Sequence, residues 1–288
     1  MAENNCTGNP QTAQQQINKN RIRKESNVFN DIIVEHQKRD GRFKNNLPVP
    51  IWGGTERGIP NGLLRSALFG MVERGKRAHV NNVPLFTSRT SVLRFSGDEL
   101  DQKDCDVFMA LLNLVQEQGS YRAKCSFYGL RKMLSRNKGK RDTEALKMSI
   151  KRLTMAFIEM DTPYAYYCGH LIDSFTYSEK EDAYVVRVNP ELATLFNDGY
   201  ARINVEMRRQ LKGDLTKFLY GLVLSHKATS YQPQVYKLET LRDLSRSKDK
   251  CRRNFKLKVV AGMKQLKEQG VVLKWNISKN DLLTFSRP

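Results

Sequence analysis

Histidine and cysteine are scarce: four and five residues in a chain of 288. The cysteines (Cys6, Cys105, Cys125, Cys168 and Cys251) are odd in number and scattered, with no C-x-x-C pair and no histidine at ligand spacing. That pattern excludes a disulfide scaffold and a structural zinc site, and reads as reduced thiols in a cytoplasm. No run approaches the roughly 18 apolar residues that a membrane helix requires. The polar opening MAENNCTGNPQTAQQQ predicts no signal peptide, so no membrane partner is expected. Acidic side chains are in deficit, with 30 Asp+Glu against 49 Lys+Arg and a net charge of +19. A chain with that excess meets a polyanion, nucleic acid ahead of an acidic membrane surface. Apolar residues make up 40% of the chain, enough for a real core in one large or two small domains.

Catalytic and cofactor motifs are missing as well. There is no H-E-x-x-H, no G-x-S-x-G and no paired-carboxylate motif, so a non-enzymatic protein without cofactor or metal is expected. GMVERGKR at Gly70–Arg77 fits G-x-x-x-x-G-K but has Arg77 where a hydroxyl should hold Mg²⁺, and reads as a basic turn. Tyr164, Tyr166 and Tyr167 suggest a nucleophilic tyrosine. His36, His79, His170 and His226 are too far apart to supply the metal, so strand packing is the plainer reading.

Along the chain, residues 1–46 are rich in Asn, Gln, Lys and Arg and read as a flexible basic tail. Residues 47–95 form a Pro/Gly-rich joint and the start of a first domain, with a strand pair over 82–95. From Ser96, capped with Glu99, the order through residue 200 is helix, helix, helix, strand, turn, strand. Ser126 caps the second of these helices. Asp142 opens the third, with Leu146, Ile150, Leu153 and Phe157 on one face, and a turn falls at Glu179–Asp182. Residues 201–288 repeat the order with helices over 205–227, 237–246 and 251–269. Gly270 is the stop, and a strand pair turns at Asn280–Asp281. The class is α+β, two tandem winged-helix domains.

The third helix of the second unit carries the clearest chemistry. Phe255, Val259, Gly262, Met263 and Leu266 share an apolar sector, while Lys250, Arg253, Asn254, Leu257, Ala261 and Lys264 fall roughly opposite. Arg and Lys chelate guanine, Asn pairs with adenine, and Leu or Ala touches a thymine methyl. Arg246, Lys248, Arg252 and Lys258 add charge around the helix start, where backbone N–H groups favour phosphate. In the first unit, Arg136, Lys138, Lys140, Arg141, Lys147, Lys151 and Arg152 stand at the matching place. Glu144 and Met148 beside them predict phosphate contacts rather than base reading. Lys274 and Lys279 in the second wing, and Lys180 in the first, add backbone contacts. The plain alternative for every one of these cations is a solvated, solubilising face.

IPNGLLRSALFG (59–70), SFYGLRKML (126–134), KLETLRDL (237–244) and LKEQGVVLKWNISKNDLL (266–283), in that order, resemble the TrfA-type plasmid replication initiators. The resemblance spans about residues 57–288 and is most specific at Pro60, Asn61 and Arg65–Phe69. It implies two winged-helix domains binding direct repeats (iterons) of double-stranded origin DNA, melting of an adjacent segment and contact with the single-stranded product. It further implies recruitment of the host initiator and replicative helicase, a monomer in equilibrium with a homodimer, and a plasmid-associated life in a bacterial cytoplasm. Family members can carry a glutamine-led hydrophobic peptide for the sliding clamp just before this region. Here LPVPIWGG stands there without the Gln or the Leu-Phe pair, which puts clamp binding in doubt; Val49, Ile51 and Trp52 read instead as packing on the first domain. A winged-helix repressor is the alternative with the same DNA chemistry.

Overall fold

The computed structural model describes residues 49–73, 75–87, 91–135, 139–163, 165–178 and 183–288. The expected tail, Arg136, Lys138, Tyr164, Lys180 and the turn at Glu179–Asp182 lie outside the described residues. Strand β1 (Glu56–Pro60), the short helix α1 (Asn61–Leu64), β2 (Phe69–Gly70), β3 (His79–Leu85), β4 (Val92–Asp98) and β5 (Leu100–Asp101) lead into helix α2 (Gln102–Gln118). Then come β6 (Arg122–Cys125), α3 (Phe127–Met133), α4 (Lys140–Met155), β7 (Phe157–Thr162), β8 (Ala165–His170), β9 (Ser174–Ser178), β10 (Ala183–Arg187), a 3-10 turn over Pro190–Phe196, and β11 (Tyr200–Asn204). The chain closes with α5 (Val205–Gln210), α6 (Asp214–Leu224), β12 (Gln234–Lys237), α7 (Leu238–Ser245), α8 (Arg252–Glu268), β13 (Lys274–Ile277) and β14 (Leu282–Ser286).

One topology occurs twice. In the first unit α2, α3 and α4 surround a three-stranded antiparallel sheet of order β6-β10-β9. In the second, α6, α7 and α8 surround a sheet of order β12-β14-β13. Each time the strand between the first two helices pairs with the last strand, which pairs with the wing. That is winged-helix architecture in an α+β chain.

Local sequence explains most of the boundaries. Ser126 caps α3 by accepting from the Gly129 amide at 3.0 Å. Gly270, at φ +71°, ends α8, and the Val271 amide reaches back to the Leu266 carbonyl at 2.9 Å. Three expectations fail. Ser96 is not a cap: it lies in β4, whose alternation buries Leu93 and Phe95, and its hydroxyl accepts from the Asn82 amide. The cap of α2 is Asp101, which accepts from the Lys103 and Asp104 amides at 2.8 and 2.9 Å, with Asp104 closing the box. The third helix begins at Lys140 behind Gly139, not at Asp142, and Phe157 falls past its end in β7, 37% exposed. The single helix expected over 205–227 is two, broken at Leu211–Gly213, because Gly213 sits at φ +85°, where a side chain would be strained.

The segment read as a joint is part of the core. Val49 and Trp52 are buried, and Trp52 Nε1 donates to Asn113 Oδ1 at 2.9 Å. β1 pairs antiparallel with β11, more than 140 residues on. β3 and β4 join β7 and β8 in a four-stranded antiparallel sheet, order β3-β4-β7-β8. The motif IPNGLLRSALFG is structural. Ile59, Leu63, Leu64, Ala67, Leu68 and Phe69 are buried, and Arg65 Nε donates to Ser225 Oγ at 3.2 Å. Gly221 lets α6 approach this motif, since a Cβ there would meet Leu64 at 2.8 Å. The described residues of GMVERGKR lead into β3 rather than a helix, Lys76 pairs with Glu73 at 2.7 Å, and Arg77 pairs with Asp101 and Asp104, which is not the setting of a phosphate-binding loop.

Burial also sorts the thiols. Cys105 and Cys125 are buried, and burial pushes both pKa values up to about 12, whereas Cys168 and Cys251 are exposed. Native protein treated with iodoacetamide at pH 8 is expected to be alkylated at Cys168 and Cys251. Cys105 and Cys125 should react only after unfolding, as read by peptide mass mapping. Rapid labelling of native Cys105 would place α2 outside the core.

Candidate nucleic-acid interface

Helix α8 packs on α6 through one sector. Phe255, Val259, Gly262, Met263 and Leu266 are its buried residues. The approach is close, since a Cβ at Gly262 would meet Leu219 Cδ1 at 3.0 Å. At about 100° per residue, Leu257 is diametrically opposite that sector, flanked by Arg253, Ala261 and Lys264, with Asn254 at the margin. All five are exposed, Leu257 by 58%. None of Arg253, Asn254 and Lys264 makes a side-chain hydrogen bond or ion pair with the described residues, nor do Lys248 and Lys250 in the preceding turn, both exposed. The face therefore presents free donors around a small apolar centre, the combination that base-pair edges in a major groove can satisfy.

The flanks of α8 are tied down. On the wing side, Asp281 accepts from Arg252 Nε and pairs with Lys256 Nζ at 2.7 Å. These hydrogen bonds, Lys256's first, hold the Asp281 carboxyl below the ordinary carboxylate range. On the turn side, Lys258 pairs with Asp249 at 2.8 Å. Arg252 and Lys258 remain on the surface, each already engaged by an intramolecular anion. Arg246 needs correcting. It sits at φ +52° and turns inward, with Nη2 donating to the Leu100 carbonyl at 2.8 Å and Nη1 3.7 Å from Glu99. Its side chain covers Gly70, where a Cβ would clash with it at 2.3 Å. It joins the second unit to the first rather than facing solvent, because the left-handed residue ending α7 points its side chain back against β5. In the second wing, Lys274 and Lys279 are exposed.

In the first unit Lys140, Arg141, Lys147 and Lys151 are exposed on α4. Lys147 pairs with Glu144 at 3.1 Å and lies 5.7 Å over the Phe127 ring. Exposed Met148 and Met155 share this outer face. Arg152 turns inward, 2.6 Å from Oδ1 of fully buried Asp104, so it serves the core. Sequence reading missed Asp281 and Lys256. The pair is separated by 25 residues, and only a wing folded back on α8 brings them together. Neither tyrosine is a plausible nucleophile: Tyr167 is buried with its hydroxyl donating to the His170 carbonyl at 2.6 Å, and the hydrogen bond to Glu159 pushes exposed Tyr166 up to about 12.

The fold and this face define a winged-helix DNA-binding protein. Residues 89–224 match the family model described as Initiator Replication protein, WH1. The protein is a plasmid replication initiator, and that match contains its first winged-helix unit. Domains 2 and 3 of RctB, a selenomethionine derivative, share the fold with TM-score 0.52 at 14% identity, over 76% of this chain and 94% of that one. Another structure of RctB domains 2–3 gives TM-score 0.47 at 12% identity, over 75% and 93%. The Pi initiator in complex with iteron DNA gives 0.43 at 10% identity, over 63% and 90%. The latter two likenesses are too weak to carry an argument. No curated protein sequence matches the chain. Among the described residues no helix is long and apolar enough to cross a membrane.

Proposed function

We propose that this initiator, which resembles the TrfA-type family, acts as two tandem winged-helix domains and binds iterons through the outer face of α8. The unpaired stripe of Arg253, Asn254, Leu257, Ala261 and Lys264 carries this reading. Lys248, Lys250, Lys258 and Lys274 surround it as phosphate contacts, with Arg252 also on the DNA side at its wing edge. Lys140, Arg141, Lys147 and Lys151, together with Arg136 and Lys138, give the first unit a backbone-positioning role. With the sequence resemblance, bound initiator melts an adjoining segment, holds the single strand and brings in the host initiator and helicase, working without catalysis in a bacterial cytoplasm. The monomer is the origin-binding form of a monomer–dimer pair. Sliding-clamp binding at 47–54 is disfavoured, because Val49 and Trp52 would have to leave the core.

The test is a footprint of the full chain on DNA flanking its gene. Regularly spaced protections over direct repeats, with untwisting beside them on a supercoiled template, are the expected result. A single protected operator without untwisting means a repressor, and uniform coating means that α8 reads nothing.

A further inference from the structure

Asp281 has no part in the reading above, yet its setting is unusual. It is the one acidic residue on the second wing's turn, between β13 and β14. Its φ of +56° is left-handed, a conformation that Asn or Gly would also satisfy, so the turn alone does not call for a carboxylate. Its backbone is pinned on both sides: the amide donates to the Ser278 carbonyl at 3.1 Å, and its carbonyl accepts from the Leu238 amide at 3.0 Å at the start of α7. The side chain is only 11% exposed and points at the first turns of α8, where it takes Arg252 and Lys256, residues four apart on one flank. An anion beside a polyanion-binding face weakens attraction for any duplex. In compensation it orders the long side chains it holds.

Arg252 has the geometry for that role. Only its Nε is engaged, while the side chain stays 72% exposed. Among the described residues the two Nη groups have no partner and remain as a fork, and the carboxylate fixes the plane in which the fork lies. Beside it a cleft of about 280 Å³ opens between the wing turn and α7, bordered by Arg242, Asn280 and Arg252, leaving room for a backbone or base edge to approach.

We infer that Asp281 is a specificity-determining positioning residue. It holds Arg252 ready for a directed contact with cognate DNA and, by neutralising part of the Arg252–Lys256 charge, suppresses binding to random duplex. The inference deepens the proposed function and rests on α8 being the helix that reads DNA.

The experiment compares full-length wild type and Asp281→Asn on a cognate repeat and on scrambled duplex across a salt series. Asn keeps the left-handed turn and a hydrogen-bond acceptor but removes the charge. Scrambled duplex should bind more tightly with a steeper salt slope, by up to about 0.9 in log K against log[salt]. Cognate preference should fall by about tenfold, the scale of one directed base contact. Arg252→Lys, which keeps the charge without the fork, should lose preference with the slope unchanged, and adding Asp281→Asn to it should cost little further preference. A parallel loss on both duplexes with an unchanged slope would show a structural role and overturn the inference. So would full preference in both single variants. If Asp281→Asn fails to fold, Arg252→Lys decides alone, since retained preference there sinks the idea. Wild type that does not favour the repeat at all refutes the reading of α8 itself, an outcome distinct from these.

Discussion

Arg208→Met is expected to destabilise the protein by about 3–5 kcal/mol, the usual cost of removing one partner from a buried ionic network. Arg208 is only 3% exposed at the junction of α2, α5 and α6. Its Nε pairs with Asp106 at 2.5 Å, Nη1 donates to the Lys217 carbonyl at 2.9 Å, and Nη2 donates to Gln102 Oε1 at 2.9 Å. Methionine fills much of the volume but leaves the Gln102 and Lys217 acceptors without their donor, and leaves Asp106, 24% exposed, with only the Lys217 Nζ at 3.6 Å. The urea midpoint should fall with m unchanged, the mark of lost stability without a changed extent of unfolding. Adding Asp106→Leu should recover part of the loss, because the carboxylate left with only the longer Lys217 pair goes with it. A single-variant loss under about 1 kcal/mol would mean that solvent screens the site as at a surface ion pair.

Arg253→Ala is expected to weaken binding to the cognate repeat by about 1–3 kcal/mol and to relax preference at one base pair. Arg253 stands on the outer face of α8 without an anion among the described residues, so on the proposed reading truncation removes a DNA contact and little else. The stability of the free protein should be unchanged within about 0.5 kcal/mol, as for most surface substitutions. Competition assays with repeats altered one pair at a time read the effect. An equal loss on every duplex, with the salt slope reduced by about one, would assign Arg253 to phosphate instead.

Much of the architecture was legible from the chain. The helical spacing of Phe255, Val259, Met263 and Leu266 named the buried side of α8, and its opposite face followed at once. Ser126, Gly270 and the turn at Asn280–Asp281 punctuated the elements as read, because caps and tight turns depend on residues within four positions of one another. The same local logic misled at Ser96. S-x-x-E at 96–99 and D-x-x-D at 101–104 are equally good caps by pattern, and only the pairing of β4 with β3 and β7 removes the first. Arg246, Arg152 and Arg253 were indistinguishable as letters in basic stretches. One faces Leu100 and Glu99, one faces Asp104, and one faces water.

Composition and periodicity by themselves determined the α+β class, the repeated element order, the excess of positive charge and the outward side of α8. Each is written in neighbours a few residues apart or in a sum over the whole chain. Tertiary structure decided which cations are free, that Val49 and Trp52 belong to the core, and that Asp281 meets Arg252 and Lys256. The reason is Coulombic and steric: an ion pair or a buried contact depends on distance through space, and no local pattern encodes which distant segment the fold will bring alongside.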